Sequence, residues 1–163
     1  MAQFALDKDM AASFAELSAS AARNRLFSQK AKADKKPKTA LLFSAIAEAE
    51  DIMARRALIA LRGKISSLED YLDEIADTKK QAAEQFAQRA RAAEKNGEDS
   101  ASEAYGRFGA VSRNHGERLA AGGGKEESAL YVCQICGYIA EGKIPERCPV
   151  CNAVAQKFRA HSL

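Results

Sequence analysis

The chain has 163 residues, 47% of them hydrophobic, so it can form one or two small domains with a core. Its 25 Lys and Arg residues and 22 Asp and Glu residues give a net charge of +3, which is too small a basic excess for a general nucleic-acid-binding protein. No secretory signal is seen in the first ten residues and no apolar run reaches the roughly 18–20 residues of a membrane span, so we expect a soluble, cytoplasmic protein with no membrane partner.

The first 121 residues predict four helices in an up-down bundle, because long helices joined by short connections pack as antiparallel neighbours. Pro37 suits the first turn of a helix, Gly63 and Gly97 suit positions just past a helix end, and Ser66 or Ser67 begins a capping-box pattern. The predicted helices run from Asp9 to Ala33, from Pro37 to before Gly63, from Ser66 or Ser67 to before Gly97, and from an Asp99 or Ser100 cap to about Ala121.

Five lysines lie close together where the first predicted helix ends and the second begins: Lys30, Lys32, Lys35, Lys36 and Lys38. We interpret them mainly as a solvated helix C-terminus, where cations complement the helix dipole. An anionic partner is the alternative.

The composition changes at residues 122–124, three consecutive glycines. An Ala-rich, charged sequence precedes them, and all four cysteines, two of the three prolines and short β-type runs follow. We therefore predict a helical bundle over 1–121, a Gly-rich linker over 122–129 and a small metal domain over 130–163. The expected strands of that domain are Tyr131–Cys133, Tyr138–Ala140 and Lys157–Arg159.

The four cysteines follow the spacing C-x2-C-x11-C-x2-C, at Cys133, Cys136, Cys148 and Cys151. Each pair can direct two thiolates at one ion, and two pairs complete a tetrahedron suited to zinc or to a single iron. Gly137 and Asn152 follow the two pairs, and both residue types tolerate the left-handed conformation that such a turn needs. A pair of redox disulfides is the alternative, but the strand–helix context of such motifs is missing.

The segments Tyr131–Tyr138, Glu141–Lys143 and Pro145–Cys151 closely resemble the rubredoxin-like domain of rubrerythrins. Ala22–Arg25 and Ala47–Glu50 are similar to helical segments of the same family. The resemblance implies a mainly α protein with a ferritin-like bundle and one iron held by the four cysteines, which transfers single electrons; zinc is a substitute. Asn152 departs from the glycine that usually ends the second knuckle in the family.

The resemblance also implies two irons in the bundle, held by a Glu from each of two helices and a Glu-x-x-His pair from each of the other two. This sequence has no Glu-x-x-His, and only Glu50 and His115 match ligand positions. The other matching positions hold Ala19, Met53, Thr78, Gln81 and Ser112. We therefore predict a degenerate di-iron centre, with Glu50 and His115 as the remaining candidate metal residues.

Two further acids allow a shifted site, since Glu16 and Glu84 each lie about one helical turn from a matching position. Such a site would still offer only three carboxylates and one histidine. If no metal binds there, we expect Glu50 to pair with His115, or with Arg23 or Arg25 turned inward, because an unpaired buried charge is costly.

Three functions remain open at this point. The first is a one-electron carrier whose di-iron site in the bundle is degenerate. The second is the peroxide reductase that the resemblance implies, which would act in oxidative-stress defence through a shifted di-iron site. The third is a zinc-ribbon interaction protein whose four-cysteine site is structural. The sequence assigns no catalytic residues; the resemblance implies a homodimer through the bundle and a redox protein partner.

Overall fold

The computed structural model describes residues 2–62, 67–122 and 129–161. The predicted fold class is confirmed: the chain is mainly α-helical, with a small antiparallel sheet at its C-terminal end. The helices are α1 (Ala2–Ala33), α2 (Pro37–Arg62), α3 (Leu68–Lys95) and α4 (Asp99–Ala120), and the strands are β1 (Leu130–Cys133), β2 (Ile139–Glu141) and β3 (Phe158–His161). Within these ranges no helix combines the length and the hydropathy needed to span a bilayer.

Helices α1 and α2 form an antiparallel hairpin whose interface is built from alanines, which let the two backbones approach closely. Ala21, Ala40 and Ala47 are at most 2% exposed. The buried Ser28 hydroxyl donates to the Ala40 carbonyl across the interface, at 2.9 Å. The turn between the helices places Lys35 in the left-handed region, at φ 56°. Helix α1 begins at Ala2, earlier than the predicted Asp9, and α2 begins at Pro37 as predicted.

Helices α3 and α4 form a second antiparallel hairpin, packed around two glycines of α4. A Cβ on Gly109 would lie 3.3 Å from the Ala83 carbonyl oxygen, and one on Gly116 would lie 3.3 Å from that of Ala76. At these two points only glycine lets the helices come so close without movement of the backbone.

Gly97 ends α3 as predicted, with φ 73°. The Glu98 N–H donates to the Ala93 carbonyl and the Gly97 N–H to the Glu94 carbonyl, which is the Schellman pattern. Glu98 is therefore also the N-cap residue of α4, and its side chain makes no capping hydrogen bond. The predicted cap at Asp99 or Ser100 is wrong, because the preceding helix end already fixes the backbone one residue earlier.

The C-terminal domain is a three-stranded antiparallel sheet in the order β2-β1-β3, so β1 is central and β2 is an edge strand. Tyr131 pairs with Ala140 on one side and Ala160 on the other. The core of this domain consists of Ala140 and Phe158 together with Cys133 and Cys148. The strands begin within one residue of the predicted positions, and β3 extends two residues beyond the predicted end at Arg159.

The chain divides into two compact units, residues 1–65 and 66–163. The first contains the α1–α2 hairpin, and the second contains α3, α4 and the sheet domain. Most of the predicted linker, residues 123–128, lies outside the described part of the chain. The division into 1–121, 122–129 and 130–163 stays a prediction.

Candidate metal centre

Two turns bring the four cysteine sulfurs together. Cys133 ends β1 and Cys136 lies in the turn that follows it, while Cys148 and Cys151 lie in a second turn before β3. The Sγ atoms of Cys133 and Cys151 are 3.7 Å apart, those of Cys136 and Cys148 are 3.5 Å apart, and all four lie within 4.8 Å of one another. A tetrahedron with metal–sulfur bonds of about 2.3 Å has edges of about 3.8 Å, so the sulfurs fit such an ion closely.

The two knuckles have the same backbone design. Gly137 and Asn152 follow their cysteine pairs in the left-handed conformation, with φ 86° and 59°, as the sequence predicts. The Gly137 N–H donates to the Cys133 carbonyl and the Asn152 N–H to the Cys148 carbonyl, both at 2.9 Å. Each first cysteine in turn donates its own N–H across the knuckle, Cys133 to Tyr138 and Cys148 to Ala153. The repeat gives the sulfurs a nearly symmetric frame.

Backbone N–H groups point at the sulfurs and oppose the effect of burial on their pKa values. Burial raises the pKa of Cys133. Hydrogen bonds to its sulfur, the strongest of them from the N–H groups of Ile135 and Cys136, lower the pKa by more, so that it lies below the ordinary 9.0. Burial raises the pKa of Cys136 far above that value despite a bond from the Tyr138 N–H. Without a cation, therefore, the group does not hold four thiolates, and a metal ion held by the cysteines would supply the missing positive charge.

Burial divides the cysteines into an inner and an outer pair. Cys133 and Cys148 are buried, whereas Cys136 and Cys151 are partly exposed. A groove of about 470 Å³ between α4 and the second knuckle reaches Cys151. Gly106 and Ala110 form part of its α4 wall and Pro149 part of the opposite wall. This groove therefore makes the Cys151 side of the cysteine group accessible from solvent.

The candidate Glu50 lies in the α1–α2 hairpin and has two partners there. Its carboxylate accepts hydrogen bonds from the Ser20 hydroxyl at 2.7 Å and from the Asn24 side-chain amide at 2.8 Å. Arg25, one of the partners expected for Glu50, forms its ion pair with Asp51 instead. Glu50 is thus paired with two neutral donors from α1, and not with His115, Arg23 or Arg25 as expected from the sequence.

The candidate His115 faces the cysteine domain. Its Nε2 lies 2.9 Å from the carbonyl oxygen of Gly137, the residue after Cys136. A carbonyl can only accept, so Nε2 carries the proton and donates. In the described residues, the four cysteines are the only group of three or more potential metal-ligating side chains that lie close together. A metal role for Glu50 or His115 stays a prediction.

The substituted bundle positions offer little to a metal. Ala19, Met53, Thr78 and Gln81 are exposed, and the Thr78 hydroxyl donates to the Glu74 carbonyl. Ser112 is buried. Glu16 and Glu84, on which a shifted site depends, are both exposed.

The residues of α4 that hold the cysteine domain were not predicted from the sequence. Asn114 and Arg118 both hydrogen-bond to Ile139, and Arg118 also pairs with Glu141. A signal was present, because these residues share one helical face with His115 at positions i, i+1 and i+4. Helical periodicity names the face but not what packs against it.

Comparison with known proteins agrees with this geometry. Residues 131–159 match the family model described as the rubrerythrin, rubredoxin-like domain. Solved structures of nigerythrin share the fold. The mixed-valence state is 23% identical in sequence to this chain, and the fully reduced, all-ferrous state is 22% identical. Each alignment has a TM-score of 0.56 and covers 96% of this chain and 86% of the nigerythrin chain. No curated protein sequence matches the chain significantly.

Proposed function

We propose that this chain is a rubrerythrin-like protein that binds one iron through Cys133, Cys136, Cys148 and Cys151 and uses it for one-electron transfer, while its bundle di-iron centre is degenerate. The single observation that carries the proposal is the close grouping of four free cysteine sulfurs, all within 4.8 Å of one another. The match of residues 131–159 to a rubredoxin-like domain supports iron over zinc. When bound, the iron supplies a reversible one-electron couple.

The protein's own residues would suit the site to that chemistry in two ways. The N–H groups of Ile135, Tyr138 and Ala153 stabilise negative charge on three of the sulfurs, and such hydrogen bonds raise the reduction potential of an iron–sulfur site. The inner cysteines exclude water, while the groove at Cys151 leaves a short path to a redox protein partner.

The contacts of Glu50 and His115 support a degenerate di-iron centre. Both side chains already have hydrogen-bond partners that are not metal ligands. Hard divalent iron prefers several carboxylate oxygens, and the exposed Glu16 and Glu84 belong to no close ligand group in the described residues. On this basis we do not assign a peroxide reductase activity to the bundle.

We also propose that the protein works as a homodimer in a reducing, cytoplasmic compartment. The four cysteines are free thiols, and such clusters persist where disulfides do not form. Helix α2 carries a stripe of apolar side chains that its own hairpin leaves open, at Leu42, Ile46 and Met53, which are 60%, 37% and 54% exposed. A second copy of the chain would cover this stripe.

Metal content per chain and the visible spectrum of untagged protein, produced in iron-rich medium, test the function. We expect about one iron per chain and a red thiolate-to-iron absorption that bleaches on reduction. The Cys148→Ser variant should lose the colour, and Gln156→Ser, at an exposed position of the same domain, should keep it.

Two outcomes contradict the proposal. About three irons per chain would restore the di-iron centre and with it the peroxide reductase. A colourless protein with one zinc, which does not exchange for iron on reconstitution, would leave the structural zinc-ribbon function.

A further inference from the structure

Strand β2 has an open edge, because it pairs only with β1 in the sheet order β2-β1-β3. The Cys133 N–H donates to the Tyr138 carbonyl at 2.9 Å. Hydrogen-bonded positions alternate along an antiparallel pair, so the next residue, Ile139, points its N–H and C=O away from β1. An unpaired edge of this kind normally binds water or another strand.

Here a side chain of α4 takes the place of the missing strand. The Ile139 N–H donates to Asn114 Oδ1 at 3.0 Å, and Asn114 Nδ2 donates back to the Ile139 carbonyl at 3.3 Å. Arg118 Nε donates to the same carbonyl at 2.9 Å. The Asn114 amide thus makes the same two-bond pairing with Ile139 that the N–H and C=O of one residue in a neighbouring antiparallel strand would make.

The contact continues on both sides of Ile139. His115 Nε2 donates to the Gly137 carbonyl at 2.9 Å, and Arg118 Nη1 pairs with Glu141 at 2.8 Å. Gly137, Ile139 and Glu141 are alternate residues along the β2 edge, so one side of that segment faces α4. Both members of the Arg118–Glu141 pair are about three-quarters buried, at 24% and 27% exposed, so water screens this pair less than a surface pair.

Close packing accompanies the polar contacts. Val111 lies one helical turn before Asn114 and His115, and its Cγ1 is 3.7 Å from the point where a Cβ on Gly137 would stand. The four α4 residues follow the spacing i, i+3, i+4 and i+7, which describes one helix face. A continuous helix face therefore lies along the strand edge next to the first knuckle.

We propose that Asn114, His115 and Arg118, the edge clamp, fix the metal domain on α4 in one orientation, and that His115 is a positioning residue of the first knuckle and not a metal ligand. The metal domain would then transfer electrons from a fixed position on α4, without moving independently of that helix. The groove at Cys151 would stay open to a partner in this position. This inference rests on a tetrahedral metal in the cysteine site, as in the proposed function, but not on that metal being iron.

Nuclear magnetic resonance of the full chain loaded with Zn(II) tests the clamp without iron chemistry. In the unmodified protein, 15N relaxation should give residues 130–161 the same rotational correlation time as α3 and α4. The double variant N114A/R118A should shorten the correlation time of the metal domain alone. The control R113A, at an exposed position on the same helix, should leave it unchanged.

Hydrogen exchange of the Ile139 amide reports on one bond of the clamp. Replacing Asn114 by Ala removes the acceptor and should speed that exchange at least tenfold. Replacing Asn114 by Asp keeps an acceptor oxygen and should restore most of the protection. Independent tumbling in the unmodified protein, or unchanged Ile139 exchange in N114A, would overturn the proposal.

The role of His115 is tested in iron-loaded protein by its reduction potential and metal stoichiometry. His115→Phe should change the potential of the cysteine-bound iron and leave the stoichiometry at one per chain, and His115→Gln, which keeps a donor, should bring the potential back. A loss of metal from a second site in His115→Phe, or an unchanged potential, would overturn the positioning role. If the chain takes up only zinc, the proposed electron transfer fails, while the zinc experiments still decide the clamp.

Discussion

At the residue scale, the two knuckles carry different residues at the position after the second cysteine of each pair. Gly137 and Asn152 share the left-handed conformation, but a side chain is present only at Asn152. Asparagine tolerates that conformation better than other non-glycine residues, whereas most side chains there cost about 1–2 kcal/mol. The identity of residue 152 therefore bears directly on the stability of the second knuckle.

We expect Asn152→Ala to destabilise the metal-loaded protein by about 1–2 kcal/mol, because alanine pays the steric penalty of the left-handed region. Asn152→Gly should stay within about 0.5 kcal/mol of the parent, since glycine adopts this φ freely. Denaturant unfolding of the Zn(II)-loaded chain measures both. Equal stability of the alanine and glycine variants would show that the backbone relaxes here without cost.

The thiol pKa values predict that metal binding depends on pH. Burial raises the pKa values of Cys136 and Cys151 above the ordinary 9.0, so both are protonated near pH 7 in the metal-free protein. Because metals bind thiolates, binding displaces these protons, and the affinity falls by about tenfold per pH unit for each proton released.

With at least these two protons released, Zn(II) should bind at least about a hundredfold more weakly at pH 6.5 than at pH 7.5. Competition with a chelator at the two pH values measures the change, and a pH indicator in weak buffer counts the protons. Cys136→Ser should release fewer protons. An affinity that does not vary with pH would mean that the thiols are already ionised in the metal-free site.

At the element scale, the α1–α2 hairpin holds a carboxylate between its helices with two neutral donors. Glu50 accepts from Ser20 and Asn24, both on α1, and all three side chains are partly buried. These bonds join positions that lie about one helical turn apart on α1 to a single residue on α2. They fix the register of the two helices, which the small alanine side chains alone would specify weakly.

Glu50→Ala should destabilise the protein by roughly 1–3 kcal/mol, because it leaves two partly buried donors without their acceptor. Glu48→Ala, at an exposed position of the same helix, should change stability by less than about 0.5 kcal/mol. Thermal unfolding measures the difference, and metal analysis of the same samples should give one ion per chain in both. A drop in bound metal in Glu50→Ala alone would make Glu50 a ligand after all.

The features that the sequence predicted correctly are those with a local cause. Gly137 and Asn152 were found because the turn after a cysteine pair needs a left-handed residue, and Gly97 because a helix end needs one. The partners of Glu50 and His115 were not found, because each lies on a different element at least 22 residues away in sequence. A residue's chemistry was readable from the sequence, but the choice between several polar partners depends on how the elements pack.

At the scale of the whole molecule, the chain folds as two compact units, and each leaves surface for a partner. In the first unit the open α2 stripe carries Leu42, Ile46 and Met53. Contiguous exposed apolar side chains of this kind mark interaction sites more often than free surface. In the second unit the Cys151 groove reaches the metal site.

We expect the full chain to be a dimer in solution and the double variant Ile46→Glu/Met53→Glu to be a monomer, because buried unpaired carboxylates would be costly in the interface. Size-exclusion chromatography with light scattering measures both masses. Glu48→Lys, a charge change at an exposed position of α2, serves as the control. A monomeric parent protein would contradict the proposed homodimer.

The edge clamp joins a helix that is synthesised early to a strand that is synthesised later. Arg118 precedes Glu141 in the chain, and the ribosome adds about 5–20 residues per second, so α4 is made roughly 1–5 s before β2 is complete. The helix face that covers the strand edge is thus available when the strand first forms. A newly made β2 edge finds its cover within its own chain, at high effective concentration, before it can pair with another nascent chain. The direction of translation thus places the covering helix ahead of the strand edge that it shields from edge-to-edge pairing.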